Sequence, residues 1–167
     1  MSLSLMNLFT AAGAVGSAVV GGVYANFSLR VMPRLAAMPE GDGIQGMQQF
    51  NRTAVRAPFM TLFFATAAVS IAQIVATFPK HGRTLAEGFA FAGASLYLAG
   101  WLLTITYNVP RNDRLAAVTP GTPGATRAWA MYLNEWTSAN SVRGVLSLVG
   151  AALLAAGTVL GVAGSSR

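Results

Sequence analysis

The chain has 167 residues, of which 54% are hydrophobic and only 10% are charged, and its formal net charge is +6. Because an average soluble domain carries about a quarter charged residues, this composition excludes an ordinary soluble fold. The sequence has no cysteine, which excludes disulfides. It has one histidine, His81, which excludes a multi-histidine metal site. We therefore predict no metal and no cofactor.

The charged residues leave four long stretches of the chain free of charge: 1–29, 57–79, 88–110 and 144–166. Each is longer than the roughly 20 residues that a helix needs to cross a bilayer, and none has the polar face of a soluble helix. We therefore predict an all-α fold, an integral membrane four-helix bundle with antiparallel, up-down connectivity. The spans are expected at about 5–28, 57–78, 89–109 and 144–164, in a single membrane domain that covers 1–167.

The first span carries small residues at every fourth position, at Gly13, Ser17 and Gly21, and the last span repeats this spacing at Gly157 and Gly161. Lipid supplies no hydrophobic drive for helix association, so such rows allow helices to pack by close backbone contact. They indicate tight packing within one bundle or between protomers. A homo-oligomer or a membrane complex partner is compatible with this pattern.

Both long connections are predicted to hold short interfacial helices. In the first, 30–56, a helical pattern with Ile44 and Met47 on one face runs into span 2. In the second, 110–143, a helical pattern begins at Thr126, after an irregular stretch rich in Pro and Gly, and continues into span 4. Short interfacial helices are therefore expected before spans 2 and 4.

The distribution of Lys and Arg predicts the membrane orientation. By the positive-inside rule, the arginine-rich loops 30–56 and 110–143 are cytoplasmic and both termini lie outside, in what we expect to be a bacterial plasma membrane. Because these cations lie beside the spans, we expect the lipid bilayer as a partner and no nucleic acid. The loop residues counted are Arg30, Arg34, Arg52, Arg56, Arg111, Arg114, Arg127 and Arg143, and the opposite side holds Lys80, Arg83 and Arg167.

Polar residues near the ends of the spans gather at one membrane face if the connectivity is up-down. Trp129, Tyr132, Trp136, Asn140 and Arg143 step by three or four residues, so they form one stripe along a helix. A stripe of this composition suits the wall of a pocket for a flat, partly polar molecule that stacks on the rings. The third span contributes Trp101, Thr104 and Asn108, and the same face receives Asn26, Arg30, Asn51, Arg52, Arg56 and Asn112.

Each of these residues also has an interpretation that involves no ligand. Trp and Tyr anchor helices at bilayer interfaces, and Asn and Arg are common at helix ends. The acids near the cluster are Asp113 and Glu135, for which a salt bridge to a neighbouring arginine and a role as a base are both open. The cluster therefore predicts either a ligand site or an interfacial anchor.

Three segments resemble the anthrone-oxygenase family, small four-helix membrane proteins of which many belong to a domain family of unknown function. The run 108–115, Asn-Val-Pro-Arg-Asn-Asp-Arg-Leu, is similar to an N-x-P-x-N-x-x-L signature of that family. The run 136–143, Trp-Thr-Ser-Ala-Asn-Ser-Val-Arg, resembles its W-x-x-x-N-x-x-R signature, and 22–33 is similar to the end of its first helix. The resemblance implies oxidation of anthrones, which are tricyclic phenols, to anthraquinones with molecular oxygen, a chemistry that does not require a metal.

Carried onto this chain, the resemblance implies a catalytic role for Asn108, Asn140 and Arg143, whose donors would stabilise a phenolate. Trp136 and Tyr132 would stack on the substrate rings. The first hypothesis is therefore a membrane oxygenase that acts on a phenolic polyketide or a hydroquinone-like substrate. Its further predicted substrate-binding residues are Trp101, Asn26, Asn112 and Arg56.

A second hypothesis is a non-catalytic membrane subunit that binds lipid or quinone, or that docks to a larger complex. The small-residue rows favour it, as does the lack of an evident base near the cluster. A small transporter is a third hypothesis, which is disfavoured because no span is broken by Gly or Pro at mid-membrane. The sequence alone leaves open whether the protein is an enzyme.

Overall fold

The computed structural model describes residues 3–54, 56, 58–78 and 84–165, with side chains described from Leu5 to Gly164 within these ranges. Residues 79–83, which connect spans 2 and 3 and include His81, lie outside the described residues, and so does Arg167.

Within these ranges every regular element is a helix and there are no strands, so the predicted all-α class is confirmed. Two π-helical turns interrupt the helices: Phe27–Val31 joins α1 to α2, and Thr104–Asn108 joins α5 to α6. The helices are α1 (Leu3–Asn26), α2 (Met32–Ala36), α3 (Glu40–Ala54), α4 (Phe59–Thr77), α5 (Leu85–Leu103), α6 (Val109–Ala116) and α7 (Ala125–Ser165).

Among the described residues, four helical segments are long and apolar enough to cross a membrane, which confirms the integral membrane assignment. The structure differs from the sequence prediction in their ends. The first and third segments continue through the π turns to Ala36 and Ala116, beyond the predicted ends. The helix predicted to run into span 2 instead ends at Ala54, as α3, before α4 begins at Phe59. The helical pattern from Thr126 is continuous with span 4 in the 41-residue α7, as predicted. The four segments are Leu5–Ala36, Phe59–Thr77, Leu85–Ala116 and Ala125–Gly164.

The long helix α7 packs along both α1 and α5, and α4 packs against the same two helices. Small residues permit the closest approaches. The Ser17 hydroxyl donates to the Ser147 carbonyl oxygen at 2.7 Å, which joins α1 to α7. A Cβ atom on Gly93 would lie 2.7 Å from the Gly150 carbonyl oxygen, so α5 and α7 meet there at a distance that only glycine allows. The small residues therefore pack within the bundle.

A second layer of short helices covers one end of the bundle, and we call it the cap: α2, α3, α6 and residues 125–136 of α7. Its core contains Ile44 and Met47, which are 0% and 1% exposed and lie on one face of α3, as predicted. Gly43 brings α3 against Trp129, since a Cβ atom there would lie 3.1 Å from the indole ring. The cap thus shields the aromatic stripe of α7.

The two π turns connect the spans to the cap and are built alike. In each, the backbone N–H after the turn donates to a carbonyl five residues earlier, from Met32 to Phe27 and from Val109 to Thr104. A proline follows at once in both cases, and proline is tolerated in the first turn of a helix because its missing N–H would have no partner there. Single π turns are frequent at functional sites.

Candidate functional site

Arg143, on α7, lies inside the bundle with only 3% of its surface exposed. Its Nη1 atom donates to the Thr104 hydroxyl at 3.1 Å, and its Nη2 atom donates to Asn140 Oδ1 at 2.7 Å. Its Cζ atom lies 4.2 Å from the centroid of the Tyr24 ring and 5.5 Å from that of Trp136. The guanidinium group is therefore held by two hydrogen bonds and two aromatic rings, contributed by α1, α7 and the π turn at 104–108.

Asn140 connects this arginine to α1. Its Nδ2 atom donates to the Tyr24 carbonyl oxygen and to the Ser28 hydroxyl, both at 2.7 Å, while its Oδ1 atom accepts from Arg143. The spacing of three residues along α7 places Asn140 and Arg143 on the same face. Tyr24 and Thr104 close the ring of contacts, with 3.3 Å between their hydroxyl oxygens. Asn140 consequently fixes the position of the guanidinium group.

The charge of Arg143 is not neutralised by a neighbouring carboxylate. Among the described residues, which include all five acids of the chain, none pairs with Arg143, and Glu135 pairs with Arg111 at 2.7 Å. Nor do three His, Cys, Asp or Glu side chains come together as metal ligands within the described ranges. A buried charge without a counter-charge is costly, especially in a membrane span. The arrangement favours an anionic ligand.

Three buried polar atoms at this site have no hydrogen-bond partner in the protein: Arg143 Nε, Trp136 Nε1 and Asn108 Oδ1. The first two are donors and the third is an acceptor. Asn108 is oriented by its Nδ2 atom, which donates to the Trp136 carbonyl oxygen at 3.3 Å. Because buried polar groups usually have partners, these two donors and one acceptor are the atoms available to a ligand at this site.

The aromatic stripe predicted on the last span is present as a continuous stack. The ring centroids of Trp129 and Tyr132 lie 5.9 Å apart, and those of Tyr132 and Trp136 lie 5.7 Å apart. The Tyr132 hydroxyl donates to Asn112 Oδ1 at 2.8 Å. All three rings of the stack are buried in the core of the cap, and they form one wall that extends from there toward Arg143.

Three of the predicted site residues do not lie at this cluster. Trp101 faces α4 and stacks on Phe63, with 6.0 Å between ring centroids. Asn26, which the sequence analysis places in the cluster, is exposed on another side of α1, because it lies two residues, or about 200°, beyond Tyr24 on the helix. Arg56 is exposed beyond the end of α3. The structure thus brings together Asn108, Asn140, Arg143 and Trp136, with Tyr132 and Asn112 adjacent.

Two contacts of the cluster were missed by the sequence analysis, namely Tyr24 and Ser28. The signal that leads to them is the helical spacing itself, since Ser17, Gly21, Tyr24 and Ser28 step by three or four residues and face α7. Tyr24 contributes its backbone carbonyl oxygen to Asn140, an interaction that no side-chain pattern reveals.

These observations define a class: an all-helical membrane protein of four spans, with a buried arginine in a polar cluster at one end of the bundle. A family model described as anthrone oxygenase matches residues 47–153, which is more than half of the chain. The protein therefore belongs to the anthrone oxygenase family, as the resemblance of its motifs predicts. No curated protein and no solved structure gives a significant match to the chain.

Proposed function

We propose that this protein is a membrane oxygenase that oxidises a flat phenolic substrate of the anthrone type with molecular oxygen, at the cluster around Arg143. The observation that carries the proposal is the buried guanidinium group without a carboxylate partner among the described residues. Membership of the anthrone oxygenase family supports the same substrate class.

The proposed role of the site is to stabilise the substrate as an oxyanion. Loss of a proton from the ring methylene of an anthrone turns its carbonyl group into a phenolate-type oxygen. Arg143 Nε and Trp136 Nε1 are buried donors suited to this oxygen, and Asn108 Oδ1 is an acceptor suited to a neighbouring phenolic hydroxyl. Because these donors are already fixed in a water-poor site, they stabilise the developing charge without reorganisation.

The oxidation then balances without a further reductant. The methylene proton passes to water, and the resulting electron-rich anion transfers electrons to oxygen. One oxygen atom of O2 forms the new ring carbonyl, and the other leaves with the two methylene hydrogens as water. In this scheme Arg143 stabilises the oxyanion, Asn140 positions Arg143, and Trp136 and Tyr132 lie beside the rings.

Oxygen uptake by the purified protein in detergent tests this proposal. With an anthrone as substrate, we expect uptake well above the spontaneous rate. Arg143→Gln should lower kcat about a hundredfold or more, which is the usual effect of removing one oxyanion donor. Arg127→Gln, an exposed arginine on the same helix, is the matched control and should retain the wild-type rate. A wild-type rate equal to the spontaneous one contradicts the proposal.

A second candidate function is a non-catalytic subunit that binds quinone or lipid. The observation that favours it is that Arg143 contacts neither a carboxylate nor a histidine within the described residues, so the site contains no evident base. A quinone that binds at the Arg143 site without oxygen uptake, together with stoichiometric co-purification of another membrane protein, supports this candidate instead.

A further inference from the structure

A groove lies on the outside of the cap, between α6 and α7, with a volume of about 160 Å³. Its lining is mainly apolar, with Leu115 and Met131 along it and the ring of Tyr132 as one wall. Arg111 and Glu135 face each other across it as an ion pair at 2.7 Å. Arg114, also in the lining, is exposed and has no ion pair among the described residues.

The groove and the arginine site both contact the same aromatic stack, at different positions along α7. Tyr132 lines the groove and stacks on Trp136, whose ring lies 5.5 Å from the Arg143 guanidinium. The arginine site itself is closed, since Trp136, Asn140 and Arg143 are 5%, 0% and 3% exposed. A ligand of several rings therefore reaches Arg143 only if part of the wall moves.

Of the two helices that line the groove, α6 is the one whose displacement is compatible with the packing of the bundle. α6 has only eight residues and contacts α7 through the Arg111–Glu135 pair and the bond from Tyr132 to Asn112, while Gln48 of α3 donates to its Leu115 carbonyl oxygen. α6 follows a π turn, and it is followed by an irregular connection in which Gly121 has φ +79°. The main packing of α7 is on α1 and α5, so displacement of α6 leaves the bundle intact.

We propose that this groove is an access site, in which a flat phenolic molecule from the bilayer binds before it passes Tyr132 to reach Arg143. This inference rests on the proposed function, because it concerns the route to the same site. The apolar lining and the Tyr132 ring suit the aromatic rings, and Arg114 suits a phenolic oxygen at the mouth of the groove. The Arg111–Glu135 pair acts as the latch, since it joins α6 to α7 across the groove.

Binding kinetics test the access site separately from catalysis. Anthrone is mixed with the protein under argon, and quenching of tryptophan fluorescence gives the on-rate and the off-rate. Ala128→Phe fills the groove, and Ala130→Phe is the matched control because Ala130 is exposed on another face of α7. We expect Ala128→Phe to lower both rates about tenfold or more while Kd stays unchanged, since a blocked route slows arrival and departure equally.

A second variant breaks the Arg111–Glu135 pair, and its result does not depend on how well the phenylalanine of Ala128→Phe fits the groove. Glu135→Gln removes the ion pair. The on-rate and the off-rate should both rise about twofold to fivefold at constant Kd, because a partly exposed ion pair contributes only a small free energy. Asp113→Asn, an exposed acid on α6, should leave both rates unchanged. If the wild type binds anthrone and neither Ala128→Phe nor Glu135→Gln alters the rates, the access site alone is contradicted. Absence of binding by the wild type contradicts the proposed function and this inference together.

Discussion

At the residue scale, the hydroxyl of Thr104 serves three partners at once. It accepts from Arg143 Nη1, lies 3.3 Å from the Tyr24 hydroxyl, and donates to the Gly100 carbonyl oxygen at 3.0 Å. This position is in the π turn between α5 and α6, so the turn directs a polar group of the third span toward the arginine. The hydroxyl therefore contributes to the charge environment of the site and to the stability of the bundle.

Thr104→Val is expected to destabilise the protein because it keeps the shape but leaves an Arg143 N–H buried without an acceptor. The expected loss in the free energy of unfolding is about 1–3 kcal/mol. Thr106→Val is the matched control, since Thr106 makes the same bond to a carbonyl four residues earlier but is exposed. Its effect should stay within about 0.5 kcal/mol. Denaturation in detergent measures both, and equal effects of the two substitutions contradict the role given to Thr104.

Part of this site follows from the sequence at the residue scale. The steps of three and four residues from Trp129 to Arg143 predict one face of a helix, and the stack and the Asn140–Arg143 contact lie on that face. Up-down connectivity predicts that Asn26, near the end of its span, lies at the same membrane face as the cluster. The helix instead turns Tyr24 and Ser28 toward α7, and a backbone carbonyl makes the decisive contact. Composition does not encode which neutral hydroxyl or carbonyl oxygen faces a partner helix.

At the element scale, the π turns explain why the span ends were harder to predict than the spans themselves. Arg30 ends the first charge-free stretch and Arg111, which follows Pro110, ends the third; both a charge and a proline usually indicate the end of a membrane helix. Here the extra residue in each π turn lets the chain continue as a helix into the cap. A periodicity of 3.6 residues contains no signal for such a turn, whereas the apolar length of each span is read directly from the sequence.

The contact between α5 and α7 gives the element-scale prediction. A methyl group on Gly93 would lie 2.7 Å from the Gly150 carbonyl oxygen and 2.9 Å from the Leu154 backbone nitrogen. Because these are backbone atoms, the clash is relieved only if the two helices separate. Gly93→Ala should therefore lower the free energy of unfolding by about 1–3 kcal/mol.

Gly88→Ala is the control in the same helix, because no atom lies within 4 Å of its added methyl group. It should be neutral or stabilising by up to about 1 kcal/mol, since alanine is the better helix former. Thermal unfolding in detergent compares the two variants. A Gly93→Ala protein as stable as the Gly88→Ala protein would show that α5 and α7 do not approach this closely.

At the scale of the whole molecule, polar groups lie inside the bundle and apolar ones face outward. On α4, Thr66 and Ser70 are buried and donate to carbonyl oxygens four residues earlier at 2.8 Å, so their hydroxyls are satisfied within the helix. Gln73 reaches across to Thr10 on α1. Large exposed side chains such as Val145 and Val159 are aliphatic. This distribution is the one that a bilayer favours, because lipid offers no hydrogen bonds.

The charged residues indicate the orientation of the protein across the membrane. Arg34 and Arg127 are exposed in the cap, whereas Lys80 belongs to the connection between α4 and α5, outside the described residues. The positive-inside rule predicts that the cap, and with it the groove beside Tyr132, lies at the cytoplasmic face. A substrate made in the cytoplasm would then reach the access site from the leaflet nearest to its source.

Cysteine labelling tests this orientation, and the chain suits it because its sequence has no cysteine. We expect Arg127→Cys to react with a membrane-impermeant maleimide only in inside-out vesicles, and Lys80→Cys only in intact cells. Val145→Cys is the control within a span, where the side chain is 61% exposed but faces lipid, so the reagent should not reach it from either side. Labelling of Arg127→Cys in intact cells would reverse the orientation and place the cap, the groove and the route to Arg143 on the outer face of the membrane.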